Sequence, residues 1–363
     1  MFKRNADTII LTSVAILVVL GLAMLASASS YLGASKFGDP YHFVKHQLTF
    51  GVGVGILGFA AGYFTPLRFL KSASLVLLLL NVALLIMVFT PLGGGFGTAD
   101  RWVTLGGITF QPAEPLKFTF ITYLAAWLTS RAKDRKSDVW EGLLPFLIIA
   151  GIIAGLLFLQ PATSAVFILM GAALVVYFVH GVRLSYLAGI ILLATLAFAA
   201  IVYATPYRMA RVTAFLNPSA DPQRTGYHVN QAITAIGSGG LFGVGYGRSS
   251  VKMNLLPEPI GDSIFAIIGE ELGFLGAFLF ILVFLTLVMA GYSGSTLVRT
   301  PFARLLLIGF SSLIALQVAL HIGAVSGIAP LTGVPLPFVS FGSTALVTFL
   351  TMSGVMVNAV RKG

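Results

Sequence analysis

Apolar runs of about 20 residues follow one another along the whole chain, separated by short polar or Gly/Pro-rich segments. Each run is long enough to cross a hydrocarbon core about 30 Å thick as a helix. The pattern therefore predicts an all-α integral membrane protein in which residues 1–363 form one polytopic domain. About ten spans are predicted, at residues 8–30, 47–64, 70–90, 112–130, 143–160, 162–180, 184–204, 264–291, 303–327 and 337–359.

The composition agrees with a membrane protein and excludes several classes of partner and site. Of the 363 residues, 57% are hydrophobic and only 9% are charged, whereas soluble domains carry about 25% charged residues. The net charge of +10 is distributed over many short segments, which favours anionic lipid headgroups over nucleic acid as the partner. Cysteine is absent, which excludes disulfides and thiolate metal sites, and no Walker A motif is present.

The distribution of basic residues predicts the orientation. The short segment "RAKDRKSD" (131–138) is the most basic stretch of the chain, and the positive-inside rule places such segments in the cytoplasm. Both termini are then cytoplasmic, and the long segments 91–115, 205–263 and 326–343 all lie outside. Of these, 205–263 is a large extracytoplasmic loop between the seventh and eighth spans. Its glycine-rich run 237–247 either forms flexible turns or brings backbone amides close to a ligand.

Charged side chains near the bilayer are costly, so each suggests a function unless a partner explains it. Glu114 and Lys117 are three residues apart and share a helix face; they form either a structural ion pair or a cationic site for a phosphate. Asp262 precedes the eighth span, where it is either a helix cap or a catalytic group in an outer cavity.

Two more acids lie within the eighth span. Glu270 and Glu271 accompany several glycines, and small residues let membrane helices approach closely. We interpret both glutamates as interhelical hydrogen-bonding groups that support Asp262, with Glu258 in the rigid Pro-Glu-Pro approach to it. His321, in an apolar span, is expected to be a hydrogen-bonded core residue rather than a metal ligand.

Four stretches resemble motifs of one known family in the same order along the chain. They are "RWVTLGGITFQPAEPLKF", "GYHVNQAITAIGSGGLFGVGYG", "LPEPIGDSIFAIIGEELGFLGA" and "TGVPLPFVSFGST", and the family is SEDS (shape, elongation, division and sporulation). The resemblance implies a ten-helix SEDS fold and a glycosyltransferase of the bacterial cytoplasmic membrane that polymerises lipid II into peptidoglycan glycan strands outside the cell. It also implies a class B penicillin-binding protein as partner, beside other divisome or elongasome proteins.

The resemblance assigns roles to particular residues. Asp262 aligns with the essential aspartate of the family, Glu114 and Lys117 with its paired residues on the fourth helix, and Arg101 with an arginine in the preceding loop. The chain departs from the family pattern at several positions, notably at Ala162, where an acid is common. Within the family, the stretch "VGYGRSSVKMNLLPEP" resembles the division polymerases more than the elongation polymerases, and a sporulation-type member is the alternative.

The resulting hypothesis is that Asp262 accepts the proton of the acceptor hydroxyl while cations stabilise the departing pyrophosphate. Two rival functions stay open, a lipid II flippase and a non-catalytic scaffold that recruits a transpeptidase. No cofactor is identified from the sequence, although a divalent cation, Mg²⁺ or Mn²⁺, could share the work of the basic residues. The candidate substrate-binding residues are Arg101, Glu114, Lys117, Arg211, Arg248 and Lys252.

Overall fold

A computed structural model describes residues 5–91, 93–94, 101–130, 138–160, 162–216, 225–252, 256–330 and 333–363. The first half of the chain forms six helices in the order α1 to α6, with two π-helical turns, one before α3 and one before α6. Their bounds are α1 Ala6–Phe37, α2 His42–His46, the first π-helical turn Gln47–Gly53, α3 Val54–Phe64, α4 Leu67–Met87, α5 Ala113–Leu128, the second π-helical turn Val139–Leu143 and α6 Leu144–Leu159.

The second half contains seven helices. They are α7 Thr163–Val179, α8 Leu184–Ala204, α9 Pro206–Leu216, α10 Thr225–Ser238, α11 Ile264–Ser295, α12 Pro301–Val325 and α13 Ser343–Lys362.

Each of the ten predicted spans corresponds to a helix in the structure. In the described part of the chain, eight helices are long and apolar enough to cross a membrane, the first π-helical turn joining α2 and α3 into one of 23 residues. The remaining two, α5 with 16 residues and α7 with 17 residues, are shorter. The last span begins later than predicted, at Ser343, because the segment before it turns through a positive φ at Phe338.

The long segments predicted outside the bundle are partly structured. Within 205–263, α9 and α10 are helical, and both are amphipathic. Between α4 and α5 lies a small antiparallel sheet in the order β1 (Gly93–Gly94), β2 (Trp102–Leu105), β3 (Ile108–Phe110).

Helices α12 and α13 form the centre of the bundle. Both are buried over most of their length, whereas α8 is almost fully exposed. Helix α13 packs against α3 and α1, α12 packs against α11, α7 and α5, and α10 lies on α11. Exposed leucine, isoleucine and phenylalanine side chains cover the outer helices, as expected where helices face lipid.

The two ends of the chain lie on the same side of the bundle. Arg361, in α13, donates a hydrogen bond of 2.6 Å to Asp7, in α1, and another of 2.7 Å to the hydroxyl of Tyr63. This arrangement agrees with an even number of spans between the termini. The basic segment on which the cytoplasmic assignment depends, 131–137, lies outside the described residues.

Candidate active site

Asp262 lies in a tight turn just before α11. The helix begins at Ile264, and its N-cap is Ser263, whose side chain makes no capping hydrogen bond. Asp262 is therefore one residue outside the cap position, and the helix-cap interpretation does not describe it. Glu258, in the same approach, has a positive φ of 46°, and its carbonyl accepts hydrogen bonds from the amides of Gly261 and Ser263.

The turn is joined to α10 through Ser263. Its hydroxyl donates to the carbonyl of Pro257 at 2.9 Å, and it lies 2.6 Å from Nε2 of His228. A hydroxyl has one hydrogen to donate, so His228 Nε2 is the donor in the second contact. This chain of contacts fixes the turn that carries Asp262 against the helix of the outer segment.

The segment from Gly333 to Phe341, here called the α12–α13 segment, forms the other wall beside Asp262. Ser340 Oγ donates to the carbonyl of Gly261 at 2.7 Å and accepts from the amide of Leu336 at 2.8 Å. The amide of Phe341 donates to the carbonyl of Ile260 at 2.8 Å. Two of the family motifs, one on each side of α12, are thus hydrogen-bonded to each other around the aspartate.

Side chains from α12 hold the α12–α13 segment in place. Gln317 Nε2 donates to the carbonyl of Pro335 at 2.8 Å, and His321 Nδ1 lies 2.7 Å from the carbonyl of Val334. The expectation that His321 is a hydrogen-bonded core residue is confirmed. Gln317 was not singled out, although two polar residues four apart on one face of an apolar span are a signal that could have found it.

Gln317 also connects the segment to the Glu114–Lys117 pair. The Lys117 ammonium lies 2.7 Å from Glu114 Oε1 and 2.8 Å from Gln317 Oε1, and it faces the ring of Phe349 at 5.5 Å. Both charged residues are buried. The expected ion pair is present, and one oxygen of it, Glu114 Oε2, has no hydrogen-bond partner among the described residues. Because a carboxylate oxygen only accepts hydrogen bonds, a further partner at Oε2 has to be a donor.

The candidate arginines lie in different surroundings. Arg101 Nε donates to the carbonyl of Gln160 at 3.2 Å, just after the end of α6. Arg248 is exposed in the segment after α10. Arg211 belongs to α9, but its side chain lies outside the described part of the structure.

Lys252 lies in a buried cluster with Glu271 and Ser27. Its ammonium is 2.9 Å from Glu271 Oε1, 3.0 Å from Ser27 Oγ and 2.8 Å from the carbonyl of Gly247. Three is the number of hydrogen bonds that an ammonium can donate. In this arrangement Lys252 has no donor left for a phosphate, so its position favours a supporting role over substrate binding.

The carboxylates of Glu270 and Glu271 accept hydrogen bonds from the segment that follows α10. Glu270 accepts from the hydroxyl of Ser249 and from the amide of Ser250 at 3.0 Å, and Glu271 accepts from Ser27 of α1 at 2.6 Å. Beside them, Tyr246 donates to the carbonyl of Ala23 at 2.6 Å. Burial, reinforced by the nearby Glu271, raises the pKa of Tyr246, so the phenol stays a neutral donor at physiological pH.

No group of three or more His, Asp or Glu side chains that could hold a metal ion occurs among the residues that the structure describes.

The fold and this site define a polytopic membrane protein that carries an aspartate in the turn before one of its long apolar helices. A family model described as "Cell cycle protein", which covers the FtsW, RodA and SpoVE proteins, matches residues 7–363. The chain therefore belongs to this family, the SEDS family that its motifs resemble.

Relatives match over nearly their whole length. The chain is 34% identical to "Probable peptidoglycan glycosyltransferase FtsW" of Geobacter sp. (strain M18), covering 97% of this chain and 96% of the relative. It is also 34% identical to "Stage V sporulation protein E" of Bacillus subtilis (strain 168), covering 99% and 98%.

Solved structures show the same fold. One chain from "Structural coordination of polymerization and crosslinking by a peptidoglycan synthase complex" superposes with a TM-score of 0.80 at 27% identity, covering 97% of this chain and 96% of that one. The rod shape determining protein RodA of Thermus thermophilus superposes with a TM-score of 0.71 at 24% identity, covering 97% and 95%. The predicted SEDS fold is thus confirmed.

Proposed function

We propose that this protein is a peptidoglycan glycosyltransferase that polymerises lipid II into glycan strands at the outer face of the cytoplasmic membrane. The observation that carries the proposal is that the family motifs are hydrogen-bonded to one another around Asp262. The turn of residues 260–263 is bonded to the α12–α13 segment. Gln317 in turn bonds both this segment and Lys117. The likeness to a relative named as a peptidoglycan glycosyltransferase, at 34% identity over 97% of the chain, supports the same activity.

The reaction needs one base and one site of positive charge. The sugar hydroxyl of one lipid-linked unit attacks the anomeric carbon of another, a carbon–oxygen bond forms, and the bond to the lipid pyrophosphate breaks. Asp262 accepts the hydroxyl proton, a contribution typically of about 10² to 10⁴ in rate. Inversion at the anomeric carbon by a single displacement requires no covalent sugar on the enzyme.

The pyrophosphate is assigned to Lys117 and Arg101, with Arg211 and Arg248 as further cations. Lys117 is a compact charge already paired on one side with Glu114, so a phosphate oxygen would approach the pair rather than an isolated ammonium. Asp262 and the substrate's own pyrophosphate oxygens are the groups that would hold Mg²⁺ or Mn²⁺ if a cation takes part, since oxygen ligands suit both ions.

The proposed setting is a division or sporulation machine. The relatives named above are an FtsW and a stage V sporulation protein, and one solved neighbour belongs to a peptidoglycan synthase complex. We assign a class B penicillin-binding protein as the partner that crosslinks the product, lipid II as the substrate, and membrane lipids as the surrounding medium. We propose that both termini lie in the cytoplasm, so that Asp262 faces outside.

The experiment that tests the activity separates it from transport and from scaffolding. Purified protein in liposomes receives labelled lipid II, alone and with a cognate class B partner, with Mg²⁺, Mn²⁺ or a chelator. Glycan strands are resolved on a gel, and movement of lipid II between leaflets is followed in the same vesicles. Long strands establish the polymerase; lipid II crossing without strands supports a flippase; neither, with partner binding intact, supports a scaffold.

A further inference from the structure

Helix α11 is broken nine residues after it begins. Gly273 has φ 67° and ψ −169°, a conformation outside the helical region. In a continuous helix the amides of Phe274 and Leu275 would bond the carbonyls of Glu270 and Glu271. Here both amides donate to residues outside α11. Residues 264–272 therefore form a half-helix that lacks these two hydrogen bonds to the rest of α11.

A segment that follows α10, residues 240–252 and here called the insert, fills the break. The amides of Phe274 and Leu275 donate to the carbonyls of Gly240 and Leu241 at 2.8 and 3.2 Å. In return the amides of Val244 and Gly245 donate to the carbonyls of Glu270 and Glu271 at 3.0 and 3.1 Å. Backbone groups freed within a membrane helix need such partners.

The fit between the insert and the break is close. A Cβ at Gly243 would overlap the carbonyl oxygen of Glu271, and one at Gly273 would overlap the amide nitrogen of Gly243. Gly243 also has φ 80°, which L-residues with side chains rarely adopt. The insert is therefore seated against the break in one register.

Side chains lock the insert in that register. Lys252, at its end, bonds Glu271 of the half-helix and Ser27 of α1 at 2.9 and 3.0 Å. Ser249 and Ser250 bond Glu270. All of these groups except Ser250 are buried, and an unpaired buried charge is strongly destabilising. Lys252 thus adds a charged tie between the half-helix and α1 to the direct hydrogen bonds of 2.6 and 2.8 Å between Ser27 and Glu271.

We propose that Lys252 is a positioning residue: by locking the insert into the break of α11, it sets the orientation of the half-helix and so of Asp262, which lies two residues before it. The expected effect on kcat rests on the proposed glycosyltransferase function. The expected effect on the half-helix rests on the geometry alone. Lys252 acts through Glu271 and not through contact with the substrate.

The first test measures the half-helix directly. In Lys252→Met we expect faster amide hydrogen exchange at residues 264–272 and unchanged exchange at residues 276–295, because the half-helix loses the charged part of its tether while the rest of α11 loses no contact. If the single variant fails to fold, Lys252→Met/Glu271→Gln takes its place, since it leaves no unpaired buried charge. Unchanged exchange at residues 264–272 in a variant that folds would overturn the proposal.

The second test asks whether an artificial tether restores activity. The kcat for lipid II polymerisation by Lys252→Met should fall on the order of tenfold, about 1.4 kcal/mol in the barrier, with KM unchanged. Leu241 and Leu275 are exposed and bonded backbone to backbone, and the chain has no cysteine. A Leu241→Cys/Leu275→Cys crosslink fastens the insert to α11 just after the break and, by keeping the insert seated there, should return both kcat and exchange at residues 264–272 towards wild type.

Tyr292→Phe is the control, because Tyr292 lies in α11 beyond the break. The variant removes the 2.8 Å hydrogen bond between Tyr292 and Ser312 and should leave kcat unchanged. A crosslinked Lys252→Met protein that stays slow, or a raised KM, would mean that Lys252 serves the substrate and would overturn the positioning role. If the wild type makes no strands while exchange behaves as expected, the glycosyltransferase proposal fails and the structural role of Lys252 stands.

Discussion

The backbone of Gly333 lies against the carboxylate of Asp262, so close that a Cβ on Gly333 would be 3.3 Å from Asp262 Oδ2. Gly333 has φ 63°, which costs a residue with a side chain about 1–2 kcal/mol. The segment that follows α12 therefore comes close to the proposed base at a position where a side chain would intrude on it.

Gly333→Ala should lower the polymerisation rate through both effects. The methyl group would crowd the carboxylate, and the strained φ would shift the α12–α13 segment. Gly106→Ala is the matched control, because Gly106 also has a positive φ, 59°, but a Cβ there would meet nothing within 4 Å. We expect a severalfold loss of kcat in the first variant only; equal losses in both would show that backbone strain, and not proximity to Asp262, is responsible.

The Glu114–Lys117 pair can be separated into its structural and its chemical role. Lys117→Met leaves Glu114 buried without its cation and should destabilise the protein by about 3–5 kcal/mol. Lys117→Met/Glu114→Gln removes both charges and should recover most of that stability. Thermal unfolding in detergent and strand synthesis are then compared for the same proteins.

The proposed role of Lys117 in binding pyrophosphate predicts that the double variant is stable but inactive. Recovery of strand synthesis together with stability would show that the pair is only a structural ion pair. This comparison decides between the two interpretations that the sequence left open for these residues.

Ser340 should contribute to activity through the turn of Asp262. Ser340→Ala removes its bonds to Gly261 and Leu336, each worth about 0.5–1.5 kcal/mol net, and leaves the turn less constrained. Ser353→Ala is a control of equal size, since Ser353 is buried and its one hydroxyl bond within the described residues is to the carbonyl of Phe349 in its own helix. Rates of strand synthesis should fall for the first variant and hold for the second; the reverse order would contradict the link between Ser340 and Asp262.

Membrane orientation can be measured without removing any native cysteine. Thr104 lies in the small sheet and Thr296 at the end of α11, and both are exposed. In intact cells, a maleimide that does not cross the membrane should label Thr104→Cys and leave Thr296→Cys unlabelled until the cells are lysed. The opposite labelling pattern would place Asp262 in the cytoplasm and remove the basis for polymerisation outside.

The sequence predicted the helices well because hydrophobic periodicity and span length are local properties. All ten spans correspond to helices, and Asp262, Glu114 and Lys117 could be selected because charges near a bilayer are rare. The break at Gly273 could not be predicted, since it depends on hydrogen bonds from residues 240–245, about 30 positions earlier in the chain.

Residues that act through such distant contacts were also missed or assigned differently. Gln317 reaches Lys117 across 200 positions of the chain, and no local pattern links them. Lys252 was grouped with the substrate-binding cations because its charge was visible in the sequence, whereas its partner Ser27 lies 225 positions away. The charges could be found from the sequence, but their pairing depends on the tertiary fold.

The most direct test of the account is the rate of strand synthesis by Asp262→Asn. The amide keeps the size of the carboxylate but cannot accept the hydroxyl proton, so we predict a loss of at least about 10²-fold in kcat. Binding of lipid II and thermal stability, measured on the same preparation, should match wild type. Strand synthesis by Asp262→Asn at a rate close to wild type would contradict the role of Asp262 as the base and, with it, the proposed mechanism.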